Sequence, residues 1–98
     1  MTRRVDFGEH VERETAEAAE WYDEHESGLG GAFLDTIEAV IDRIAETPLA
    51  FPLVHGQTRR ALVRRFPYAV YFRLHGEHVV ILAVMHSSRD PDQWRSRG

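Results

Sequence analysis

Cysteine and lysine are both missing from the 98-residue sequence. Without cysteine there is no disulfide framework, no thiolate nucleophile and no zinc-thiolate centre, a composition that suits a reducing cytoplasm. Without lysine there is no amine general base, and all twelve cations are arginines, whose planar guanidinium favours bidentate contacts to carboxylate or phosphate. Long apolar runs are also missing. The longest, residues 79–85, is far below the roughly 20 residues a bilayer span needs. The charged opening MTRRVDFGEH has no apolar stretch of signal-peptide length, so an unprocessed cytoplasmic chain with no membrane segment is expected. The length allows one domain, residues 1–98, that buries roughly two thirds of its unfolded surface.

The net charge of -4 hides an asymmetry. Up to Pro48 there are 4 Arg against 13 Asp or Glu, a balance of -9; beyond it, 8 Arg against 3 acids give +5. A basic C-terminal half steers acidic partners toward itself without naming them. The acids Glu12, Glu17, Glu20, Asp23 and Glu24 read as one solvated helix face. The six histidines show no ligand spacing on a common element, so neither a metal site nor a cofactor is expected.

Hydrophobic periodicity then sets the organisation. RRVDF, residues 3–7, reads as an edge strand with Val5 and Phe7 on one face. From Glu9 to about Glu26, Val11, Thr15, Ala18, Ala19 and Tyr22 recur at helical spacing, with Trp21 flanking. SGLGG, residues 27–31, reads as the turn into a second helix with the stripe Phe33, Ile37, Val40, Ile41 and Ile44, ended by Thr47-Pro48. After a linker, RRALVRRF (59–66), YAVYFRL (68–74) and HVVILAVM (78–85) read as three strands. Tyr68, Val70, Phe72 and Leu74 share one face of the middle strand; Ala69, Tyr71 and Arg73 share the other. The last strand is apolar on both faces and is expected to be central. The fold class is therefore α+β, a helical hairpin packed on a small antiparallel sheet in the order β-α-α-β-β-β. Trp21, Tyr22, Phe33, Tyr68 and Phe72 are expected on buried faces.

In order and spacing, the stretches AEAAEWYDEHESGLGGAFLDTIEAVIDRIAETPLAFP and RRALVRRFPYAVYFRLHGEHVVILAVMHSSRDPDQW resemble the RelE/ParE superfamily of type II toxins. RRFPYAVYFR followed by VVILAVMHSSRDP is more similar to the ParE branch. The resemblance implies a toxin neutralised by a cognate antitoxin, whose disordered C-terminal segment wraps it. ParE-like members poison DNA gyrase, whereas RelE-like members cut mRNA on the ribosome with a cluster of basic residues. Here lysines are missing, Pro67-Tyr68 stands where RelE-like chains carry an arginine, and Trp94 replaces any further proton carrier. Three readings follow: a gyrase-binding toxin, a ribosome-dependent endoribonuclease, and a non-toxic antitoxin-binding module.

Only His86 and Arg89 form an acid-base and charge-stabilising pair that can serve the nuclease reading. The residues expected to contact antitoxin or target are Arg59, Arg60, Arg64, Arg65, Tyr71, Arg73, Arg89 and Trp94. Alternation along one strand distributes the four arginines 59, 60, 64 and 65 over both sheet faces. No direct DNA binding by the chain alone is expected, because its total charge is negative.

Overall fold

The structure is a computed structural model and describes residues 3–97. Strand β1 (Val5–Phe7) leads into helices α1 (Val11–His25) and α2 (Leu29–Glu46). Strands β2 (Leu53–His55), β3 (Thr58–Leu62), β4 (Tyr68–His75) and β5 (His78–His86) follow, and a short helix α3 (Asp92–Arg95) closes the chain. One sheet runs β1-β5-β4-β3-β2, antiparallel throughout except where β1 pairs in parallel with β5. The expected architecture is present. β5 is an interior strand between β1 and β4, as its two apolar faces require, while β4 holds the centre of the five. Among the described residues no helix is long and apolar enough to cross a membrane.

Three local expectations change. The linker contains β2, three residues held between Pro52 and the left-handed Gly56, too short to show a period. The expected strand 59–66 stops at Leu62: Arg65 takes φ 77°, and Phe66 turns back into the core. Arg64 and Arg65 therefore sit exposed in the turn before β4 instead of alternating across the sheet. The SGLGG stretch is only partly a turn, because Gly30 and Gly31 already belong to α2. A Cβ on Gly30 would collide with the Ala19 carbonyl, so glycine there lets the two helices approach; its N–H donates to Asp23 Oδ1 at 2.8 Å.

The main core lies between the helices and the sheet. Phe33, Ile37, Val40 and Ile44 of α2 and Val11, Ala18 and Ala19 of α1 close over Val70, Phe72, Val79, Ile81 and Val84. The rings of Tyr22, Phe33, Phe66 and Tyr68 meet at 4.9–5.3 Å between centroids along four edges of this cluster. Trp21 is a correction. It is 53% exposed and stacks on His25 at 3.9 Å. One residue is 100° of helix rotation, so when Tyr22 faces the core, Trp21 turns outward.

A second, smaller core covers the outer sheet face: Ala69, Tyr71, Ala83, Met85 and Trp94. It exists because β5 changes phase. Phe72 pairs with Ile81 but Tyr71 pairs with Ala83, leaving Leu82 as an extra bulged residue. Before the bulge Val79 and Ile81 face the helices; after it Val84 does, and Ala83 and Met85 face outward.

Candidate functional site: a groove beside β5

A half-open groove of about 850 Å³ lies between α1, the end of β5 and the C-terminal segment. α1 contributes Arg13, Glu14, Glu17, Trp21 and Tyr22; the sheet contributes Tyr68, Val84 and His86; the segment beyond contributes Ser88, Arg89, Gln93 and Arg97. The segment is held down at two points. Trp94 stacks on Tyr71 with 4.2 Å between centroids and 16° between planes, and Arg97 makes a two-pronged bond to Glu14, 2.9 Å on each arm. Arg97 also donates to the Leu82 carbonyl at 3.3 Å, so it reads the bulge.

His86 stands at the mouth, its ring edge-on to Tyr68 at 5.4 Å. The Ser88 backbone N–H donates to His86 Nδ1 at 3.1 Å, and the Ser88 hydroxyl lies 2.7 Å from the same atom. A backbone N–H can only donate, so Nδ1 is the acceptor and the neutral ring carries its proton on Nε2. Burial pushes the Tyr22 phenol above its usual value, and the neighbouring Tyr68 adds to the shift. Burial also raises Tyr68, against a smaller lowering by Arg89. Both phenols are hydroxyl donors at neutral pH.

The remaining expected contact residues are dispersed. Arg59 is tied down, donating from Nη1 to the Phe51 carbonyl at 2.7 Å. Arg60 lies opposite Tyr71 on the outer face, with Nε buried and no hydrogen-bond partner among the described residues. Arg73 shares that face, opposite Val80. Arg65 lies over the Phe66 ring at 5.4 Å from its turn. Tyr71 and Trp94, expected as partner contacts, are 6% and 5% exposed because they cover each other, so their ring faces are not available to a partner. Only His86 and Arg89 of the expected residues share the groove. Arg13, Glu14, Trp21, Tyr22 and Arg97 were not expected there. Glu14 and Arg97 are 83 positions apart, a pairing that no local pattern signals. Among the described residues no group of acids and histidines can hold a metal ion.

Known proteins share this fold. Residues 5–91 match the family described as "ParE toxin of type II toxin-antitoxin system, parDE". Toxin ParE2 of Mycobacterium tuberculosis (strain H37Rv) is 32% identical over 93 residues, 94% of this chain and 89% of that protein. Among solved structures, the chromosomal ParDE toxin-antitoxin system from P. aeruginosa aligns with TM-score 0.65 and 12% identity over 87% of this chain and 96% of that one. The toxin-antitoxin complex RelBE2 from Mycobacterium tuberculosis aligns with TM-score 0.57 and 23% identity, covering 88% and 99%. At those identities the two structures speak for the fold; the family match and the ParE2 relative carry the assignment, by which this chain belongs to the ParE toxins of type II toxin-antitoxin systems.

Proposed function

We propose that this chain inhibits growth in the cytoplasm by binding an essential target, DNA gyrase, and that a cognate antitoxin neutralises it. The observation that carries the binding reading is the state of the proton-active groups in the groove. Cleavage of RNA through its 2′-hydroxyl needs a base to remove that proton and an acid for the leaving oxygen. The Nδ1 lone pair of His86 is taken by Ser88, and Tyr22 and Tyr68 are neutral hydroxyls. The groove's two carboxylates lie against arginines, Glu14 bonded to Arg97 and Glu17 3.9 Å from Arg13, so the basic groups there serve ion pairs. Gyrase as the target follows from the ParE-like members that the chain resembles, and the antitoxin from the family's module and the two toxin-antitoxin systems it aligns with.

The test is brief induction of the chain without antitoxin, following thymidine and methionine incorporation over the first minutes, for wild type and His86→Ala. Thymidine uptake is expected to fail first in both. Methionine uptake failing first, with toxicity lowered by about a hundredfold or more in His86→Ala, would establish the endoribonuclease instead. A wild type with no growth effect that still binds antitoxin tightly would make the chain a non-toxic binding module.

A further inference from the structure

Beyond β5 the chain makes a tight turn that is pinned at both ends. The Ser87 N–H donates to the Pro67 carbonyl at 2.8 Å, and the Arg89 N–H closes back on the His86 carbonyl at 3.0 Å. The Tyr68 ring, edge-on at 5.4 Å, holds the imidazole from the side of the sheet. This brings the exposed Ser88 hydroxyl to 2.7 Å from His86 Nδ1, while the Ser88 N–H donates to the same atom at 3.1 Å. A backbone N–H cannot accept a proton, so Nδ1 carries the lone pair and the hydroxyl beside it is the donor. A serine hydroxyl within hydrogen-bond reach of an unprotonated imidazole nitrogen is the arrangement that activates a nucleophile. Ser87 is equally exposed and shares the turn, but among the described residues no imidazole receives its hydroxyl.

We propose that Ser88 is a nucleophile, with His86 Nδ1 as its general base and Arg89 as its charge stabiliser, and that it takes up the acyl group of an activated ester. The inference goes beyond the binding reading above and does not depend on which target the toxin engages. Ser88 Oγ attacks the ester carbonyl carbon, and its proton passes to Nδ1. The oxyanion that forms needs a positive group in reach. Arg97 is paired with Glu14 and Arg13 lies 3.9 Å from Glu17, whereas Arg89, exposed at the mouth, has no ion pair among the described residues. Its charge acts on the Tyr68 phenol, which sets the guanidinium on the side of the ring that faces His86. When the intermediate collapses, the bond to the leaving oxygen breaks, Nδ1 returns the proton to that oxygen, and the acyl group stays on Oγ as an ester. Trp21, 53% exposed, and Tyr22 line the groove beyond and give the acyl group an apolar wall. The same geometry keeps His86 from serving a 2′-hydroxyl, because its lone pair already faces a hydroxyl of its own chain.

The experiment is incubation of the full chain with p-nitrophenyl acetate, the acetyl group being located by tandem mass spectrometry as a function of time. The chain suits this probe, because it has no lysine and no cysteine to compete for the acetyl group. Ser88 is expected to acetylate about a hundredfold faster than Ser87, its control in the same turn. In His86→Ala, with an unchanged circular dichroism spectrum, the Ser88 rate should fall to within about threefold of Ser87, and Arg89→Gln should slow Ser88 by about tenfold or more. Equal rates at the two serines of the wild type would overturn the proposal without recourse to any variant. A Ser88 rate that survives His86→Ala would overturn it as well, by removing the general base. An unchanged rate in Arg89→Gln would overturn the part given to Arg89 alone. None of these outcomes bears on toxicity or on antitoxin binding, so the toxin reading stands or falls separately.

Discussion

Tyr68 joins the two sides of the groove: its ring packs on Phe33 and faces His86, while Arg89 acts on its hydroxyl. Because burial is the larger influence, its folded pKa lies above the usual value near 10. The folded protein therefore holds this proton more tightly than the unfolded chain does. Its contribution to stability is complete below about pH 10 and is lost as pH rises through the folded value; Tyr22 acts in the same direction. Melting temperatures measured from pH 9 to 11.5 are expected to fall more steeply for wild type than for Tyr68→Phe, which cannot ionise. Equal slopes would show that Tyr68 is not held in its neutral form. At this scale the sequence identified His86 and Arg89 as neighbours in the site, because three positions at a strand end remain close in any fold. It misplaced Trp21 and did not foresee that Tyr71 and Trp94 cover each other, since aromatic character does not say which face of an element reaches solvent.

The C-terminal segment is the element whose role was least visible in sequence. A four-residue helix carries no period, yet α3 places Trp94 flat on Tyr71 and closes the outer face of the sheet. Trp94→Ala removes most of that cover and is expected to cost about 3 kcal/mol, the lower end of the range for a buried aromatic, since a terminal segment can settle into the space. Urea denaturation followed by circular dichroism measures it; a loss under about 0.5 kcal/mol would mean the segment does not hold the face closed. The other elements divide by the strength of their pattern. α2, with an apolar residue at every helical return, was legible almost to its ends. β2 was not, having only three residues, and neither was the bulge at Leu82. When a strand is apolar on both faces, a slip of phase changes no residue class, and only the partner strand reveals it.

Across the whole molecule, charge follows the two layers. The helical hairpin carries most of the acids, and the C-terminal half, from which β2 to β5 and α3 are built, carries the +5 balance. A partner segment rich in carboxylates should therefore be steered toward the sheet, and its association should be sensitive to salt. Stopped-flow association rates are expected to fall by roughly tenfold or more between about 0.05 M and about 0.5 M NaCl, and to fall less for an Arg64→Glu/Arg65→Glu variant, whose rate is already low. A rate independent of salt would place the encounter elsewhere. The sequence by itself determined the helical hairpin, the central strands, the segregation of charge and the family, because these are written in local periodicity, composition and order along the chain. Only the tertiary structure decided that β1 pairs in parallel and stops at Ile81, that Leu82 shifts the phase of β5, and that Arg97 reaches across to Glu14. Those features depend on backbone groups and on residues up to 83 positions apart, and both are settled by packing after the elements have formed.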